Sequence, residues 1–113
     1  MLPELAPAST DFDIPKHRWS AFHGTVLDTV LRVQRRTTVL VFGGSTHVGV
    51  ASTVYAARDL DYQVIVVRDC CTGLAQQRDF FLDHVFPRVC RVRTAGEIEV
   101  MLAAGTQRGT REQ

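Results

Sequence analysis

The chain has 113 residues, 45% of them apolar and 22% charged, which is enough apolar material for one core and too much for a disordered segment. Its 13 basic and 12 acidic residues leave a net charge of +1, so neither nucleic acid nor an anionic membrane surface has an electrostatic case as partner. Three cysteines, Cys70, Cys71 and Cys90, are an odd set with two members adjacent, which excludes a disulfide framework and any zinc-ligand spacing. They read as ordinary thiols of a reducing compartment. Residues 1–9 lack the basic start and apolar run of a signal peptide. No stretch approaches the ~20 apolar residues of a membrane span. A cytoplasmic protein is the expectation.

Residues 1–10, rich in Pro and Ala, read as an irregular arm, and Asp13-Ile14-Pro15-Lys16 as a short extended piece, because the residue before proline is pushed out of the helical region. Gly24-Thr25 opens a helix over Val26–Arg35, where Val26, Leu27, Val30, Leu31 and Val33 recur at helical spacing. Arg32, Arg35 and Arg36 fall near its end, where positive charge complements the helix dipole. The unbroken apolar run Thr37–Phe42 predicts a strand buried on both faces, as in a parallel sheet. Gly43-Gly44-Ser45-Thr46 ends it. A helix over His47–Leu60 follows, then a second buried strand, Gln63–Val67, and a turn at Asp69–Gly73. Ala75–Phe86 reads as a helix stopped by Pro87, and Val89–Val92 as a third, shorter strand. Thr94 and Glu97 form a capping-box pattern for a last helix, Ala95–Ala104, which Gly105 ends before a polar tail at 105–113.

Buried strands alternating with helices predict a Rossmann-like, three-layer α/β domain over residues 11–104, with a parallel sheet and helices on both faces. Such folds hold their sites at the carboxyl ends of the strands. That directs attention to the approach to Lys16 and to Gly43–Gly49. Glycines between a strand and a helix allow tight turns, and the first helical amides are unpaired donors that hold an anion or an oxyanion. On residue chemistry alone, a plain chain reversal explains Gly43-Gly44 equally well.

The segment Thr38–Thr53, TVLVFGGSTHVGVAST, resembles the strand-turn-helix of the isochorismatase-like, or cysteine hydrolase, superfamily. Upstream, KHRWSAF at Lys16–Phe22 is similar to that family's segment bearing a catalytic lysine. The likeness runs from about Asp11 to Leu102. It implies an isochorismatase-like fold and hydrolysis of a small carbonyl, ureide or vinyl ether substrate. It assigns the catalytic lysine to Lys16, and an oxyanion- or substrate-binding corner to Ser45, Thr46, His47, Val48 and Gly49, with a cis Gly44–Ser45 peptide. Trp19 and Phe22 are expected to wall the pocket.

Two departures stand out. Gly49 occupies the position of the family's nucleophilic cysteine, and a glycine offers no thiolate for attack on an amide. The true isochorismatases, whose turn is similar to His47-Val48-Gly49-Val50, need no thiol, because proton transfer by an aspartate is their central step. That aspartate belongs to a first strand ahead of everything matched, so the expected sheet is without its amino-terminal strand. Asp11 and Asp13 match no family aspartate, and Cys70 and Cys71 match no family nucleophile. No metal and no cofactor are expected. Three readings follow: a hydrolase region of weak or no activity by itself; a non-catalytic binding or assembly module (a pseudoenzyme) derived from such an enzyme; or a split product that takes its first strand from elsewhere. A small-molecule substrate and homo-oligomeric assembly are the expected partners.

Overall fold

The computed structural model describes residues 11–112, with side chains described through Ala104. Three parallel strands, β1 (Thr38–Gly43), β2 (Gln63–Cys71) and β3 (Arg91–Arg93), form one sheet in the order β1-β2-β3. Helices α1 (Leu27–Val33), α2 (Ala51–Asp59), α3 (Ala75–Phe80) and α4 (Ala95–Glu112) connect and flank them. Strand alternation sorts the core into two clusters. Val41, Val64 and Val66 face a cluster with Phe22, Val54, Tyr62, Leu82 and Phe86. Ile65 and Val67 point the other way and meet Ile98, with Met101 packed alongside. Helices therefore cover both faces of the sheet at β2, as the alternating pattern requires.

β2 is the central strand. Its Val64, Ile65, Val66 and Val67 are all buried, and it pairs with β1 from Thr38↔Gln63 to Val41↔Val66 and with β3 from Ile65↔Arg91 to Val67↔Arg93. The sequence places a turn at Asp69–Gly73, yet β2 runs on to Cys71. The register breaks after Val41↔Val66 and resumes at Gly43↔Cys71, so β2 bulges through its polar Arg68-Asp69 stretch and pairs again. Asp69 is put to use there: its carboxylate accepts the Ala95 amide at 2.8 Å, at the start of α4.

Other boundaries also move. Helix α1 is shorter than expected and closes with Arg35 at φ 55°, where the Arg36 amide reaches back to the Leu31 carbonyl at 2.9 Å. A wide π-type turn, Thr46–Val50, precedes α2. After α3 the chain widens again at Phe81–Val85 and tightens at Phe86–Arg88, so Pro87 sits inside a short 3₁₀ turn. β3 begins two residues later than the Val89 start expected from sequence, because the Val89 and Cys90 amides are taken by the Phe86 carbonyl. Helix α4 forms its predicted capping box: Thr94 N–H donates to Glu97 at 2.8 Å and Glu97 N–H to Thr94 Oγ1 at 3.1 Å. These bonds hold the Glu97 carboxyl below its usual range. The helix continues past Gly105 to Glu112. Among the described residues, no helix is long and apolar enough to cross a membrane.

Candidate active site

The carboxyl end of β1 opens into the turn Gly43-Gly44-Ser45, with the Gly44–Ser45 peptide cis and Gly43 at φ 116°, a conformation natural only to glycine. The end of β2 clamps this turn. Thr72 N–H donates to the Gly43 carbonyl at 2.8 Å, and its own carbonyl accepts both the Thr46 amide at 2.9 Å and the Thr46 hydroxyl at 2.6 Å. The fit leaves no room for side chains. A Cβ on Gly44 would lie 2.4 Å from Thr72 Oγ1, and one on Gly73 would lie 3.1 Å from Ser45 Oγ. Thr72 and Gly73 are site-forming residues that sequence reasoning did not single out. Their signal was a Thr-Gly pair directly after a buried strand.

Lys16 reaches this corner from a loop that polar bonds hold in place. The Ala21 amide donates to Thr53 Oγ1 on α2 at 3.0 Å, the Phe22 amide to Ser20 Oγ at 3.0 Å, and the Thr25 hydroxyl to the Ala21 carbonyl at 2.6 Å. Lys16 Nζ donates to the carbonyls of Trp19 at 2.8 Å and Arg18 at 3.3 Å. An ammonium has three donors, so two such bonds leave one for a ligand. Gly49 lies directly opposite: a Cβ built there would be 3.8 Å from Lys16 Nζ, 3.7 Å from the Trp19 carbonyl and 3.4 Å from the Gly44 carbonyl.

The remaining predicted residues divide. Phe22 is buried, stacks on Tyr62 with ring centroids 5.6 Å apart, and lines the same groove as Lys16 and Gly49. The Trp19 ring is 70% exposed and borders a shallower depression with His17, His23 and Ser52; its carbonyl is what it offers to the corner. Thr46 is fully buried with its hydroxyl committed to the Thr72 carbonyl. The Val48 amide donates to the Ser45 carbonyl at 3.1 Å, as does the Val50 amide. His47 turns its ring toward Phe81 at 6.2 Å, keeps a buried Nδ1 without a partner, and does not line the Lys16 groove. Asp11 and Asp13 do not line it either. Among the described residues, the groove's charged lining residues are Lys16 and Arg36, both cationic.

The thiols lie elsewhere. Burial pushes the Cys71 thiol up and the Cys90 thiol up to about 11, which holds both in the unreactive protonated form near neutral pH; Cys70 is exposed after the β2 bulge. Among the described residues, no group of three or more His, Cys, Asp or Glu side chains is placed to hold a metal ion.

Residues 1–97 match the family model described as Isochorismatase domain. The chain belongs to the isochorismatase family. Within that family it is 36% identical over 95 residues to the uncharacterized isochorismatase family protein YecD of Escherichia coli O157:H7, covering 83% of this chain and 50% of YecD. It is 41% identical over 91 residues to the ureidoacrylate amidohydrolase RutB of Klebsiella pneumoniae (strain 342), covering 76% of this chain and 38% of RutB. Among solved structures, an isochorismatase family protein from Burkholderia thailandensis superposes with a TM-score of 0.86 at 35% identity, over 90% of this chain and 54% of that one. The chain spans about half the length of the curated family relatives YecD and YwoC that it matches.

Proposed function

We propose that this chain carries the lysine-bearing part of an isochorismatase-family hydrolase site for a small carbonyl, ureide or vinyl ether substrate, and that by itself it turns substrate over weakly or not at all. The observation that carries the proposal is the geometry at Gly49. A Cβ on Gly49 would stand 3.8 Å from Lys16 Nζ, which supports reading the two as one corner whose residue 49 supplies no thiol. Lys16 stabilises negative charge developing on a substrate oxygen held above Gly49, an electrostatic role that needs no thiol. The likeness to a ureidoacrylate amidohydrolase supports a ureide or related carbonyl compound as substrate class. General acid chemistry needs an acid in reach, and among the described residues the groove lining supplies none, which supports weak activity of the chain alone. Free cysteines support a reducing, cytoplasmic setting.

The test is turnover by the purified chain of a ureidoacrylate, an N-carbamoyl amino acid, an aromatic primary amide and isochorismate, with Lys16→Ala as control. Any activity falls in Lys16→Ala by about a hundredfold or more, the scale of a lost oxyanion contact. The thermal melt is unchanged, because Lys16 is exposed and its bonds reach only neighbouring carbonyls. Activity that survives in Lys16→Ala overturns the assignment. A folded wild-type chain that neither turns over nor binds any of the four favours the second reading, a non-catalytic binding or assembly module, for which Gly49 is the motivating observation.

A further inference from the structure

Where the bulged part of β2 meets the short strand β3, three arginines share one carboxylate. Arg68, Arg91 and Arg93 line a depression of about 400 Å³ together with Asp83, and Leu82 and Pro87 give it an apolar side. It has no lining residue in common with the Lys16 groove. Arg68 is held at both ends: its guanidinium bonds Asp83 at 2.9 Å, and its carbonyl accepts Arg78 Nη2 at 3.3 Å. Arg78 Nε also donates to the Cys71 carbonyl at 2.8 Å, so one side chain braces the bulge at two points. Arg91 and Arg93 stand two apart on β3, so their side chains leave the strand on one side, about 7 Å apart. Among the described residues neither has a carboxylate within ion-pair distance, and the Arg93 guanidinium bonds the Val92 carbonyl at 2.7 Å. The nearby acid Glu97 feels Arg93 and Arg68, but its carboxylate takes the Thr94 amide at 2.8 Å and does not line the depression.

Three guanidiniums against one carboxylate leave two positive charges lining a single depression. Like charges held this close repel, and a bound anion relieves the repulsion. Protection of a strand edge accounts for charge on β3, but it does not require Arg68, fixed by Asp83, to open on the same space. We propose that the depression binds a small organic dianion, a phosphate monoester with a compact apolar group. A phosphate monoester carries a charge of about −1.5 to −2 at pH 7 and three strong acceptor oxygens, which matches the two guanidiniums that lack a carboxylate. The planar fork of arginine meets such oxygens two at a time. A guanidinium has five donors, so Arg68 keeps several for the ligand while one holds Asp83. The apolar group of the ester lies against Leu82 and Pro87. This site is independent of the hydrolase proposal, because it uses neither Lys16 nor Gly49.

The probe is phenyl phosphate, titrated into the full chain at low salt and followed by the amide and arginine Nε–H signals in a nitrogen-correlated NMR spectrum. Saturable shifts are expected at Arg68, Arg91, Val92 and Arg93. Benzoate, with the same ring and one charge, should bind at least tenfold more weakly, and inorganic phosphate, with the charge and no ring, should bind more weakly than the ester. The double variant Arg91→Gln/Arg93→Gln is expected to lose at least tenfold in affinity for phenyl phosphate, while Lys16→Ala keeps the wild-type value. Raising the salt should weaken binding, as displacement of an anion from arginines requires. The wild-type shifts locate the ligand without any variant, so the reading stands or falls even if the double variant does not fold. No shift at these signals up to about 10 mM phenyl phosphate, the range of the weakest specific binding, overturns the inference. Shifts that disappear in Lys16→Ala and persist in the double variant overturn it too, because the anion would then sit in the Lys16 groove. Equal affinity for benzoate and phenyl phosphate overturns the assignment of a dianion. A double variant that binds as wild type does but aggregates would leave Arg91 and Arg93 as guards of a strand edge, and overturns the site as well.

Discussion

Strands β1 and β2 carry similar residue types, Thr-Val-Leu-Val-Phe-Gly in one and Gln-Val-Ile-Val-Val at the start of the other, yet four consecutive residues of β2 are buried against Val41 alone in β1. Apolar sequence expresses a demand for burial, and neighbours decide whether it is met. Among the described residues, β2 has a strand on each side and a helix layer on each face, whereas β1 has one strand and one covered face. The candidate site lies where these two conditions meet, with the end of β2 fixing the turn and the open side of β1 facing the Lys16 groove.

The largest effect that tests this comparison is a matched pair of charge insertions. Val66→Asp puts a carboxylate at a position with no exposure, between strands and under Val54 and Phe86, and is expected to cost at least about 4 kcal/mol and unfold the chain. Leu40→Asp, one strand away, is expected to cost less than about 1 kcal/mol because its side chain is already wet. Denaturant melts of both proteins measure the difference. Equal losses would mean that β1 is covered in solution by something the single chain provides.

That contrast also explains what could be read from residues alone. The two apolar runs, the helix between them and the Thr94–Glu97 cap are local patterns, and all form in the fold, but the burial on both faces expected for Thr37–Phe42 is met only at Val41, because β1 has fewer neighbours than β2. The continuation of β2 through Arg68-Asp69 was not legible, because a polar pair says turn until Gly43 and Thr72 are seen to reach across and restore pairing. Gly105 was expected to end α4, but a single glycine lowers helix propensity by only about 1 kcal/mol and the helix runs through it. In the candidate site, Lys16 and Gly49 were singled out by likeness to a family and lie close together, while the packing of Gly44 and Gly73 against Thr72 and Ser45 depends on two strand ends meeting and has no local signature.

A second, smaller effect follows from the covered side. Burial raises the Cys90 thiol from 9.0 to about 11. The unfolded chain ionises this group first, so its contribution to stability is complete below pH 9 and is lost as pH climbs from there to about 11. Two units correspond to at most about 3 kcal/mol. Denaturant melts near pH 8 and near pH 10.5 should show wild type losing more stability than Cys90→Ala over that interval. Cys71 and Tyr62 are shifted upward by burial as well and add to the alkaline loss in both proteins, so the difference between them isolates Cys90. Identical losses would mean that the segment around Cys90 is open to water, and that the covered side extends less far than the packing indicates.

The smallest effect on stability belongs to the open side and says most about chemistry. Gly49 does not adopt a positive φ, so its backbone accepts any residue, and a Cβ would make ordinary contacts of 3.4 Å or longer. Gly49→Cys should therefore change stability by no more than about 1 kcal/mol, the reduced entropy of the unfolded chain offsetting the close approach to the Gly44 carbonyl. Its thiol would start from a Cβ 3.8 Å from Lys16 Nζ, and a neighbouring ammonium favours the thiolate. Alkylation by iodoacetamide near pH 7 should run about tenfold faster at residue 49 than at the exposed Cys70, and adding Lys16→Met should remove that advantage. A rate at residue 49 indifferent to Lys16 would separate the ammonium from the corner and leave the site with its shape but without its charge. A rate that depends on Lys16 would show that this corner, with no side chain at residue 49, keeps the electrostatics that a thiolate there would use.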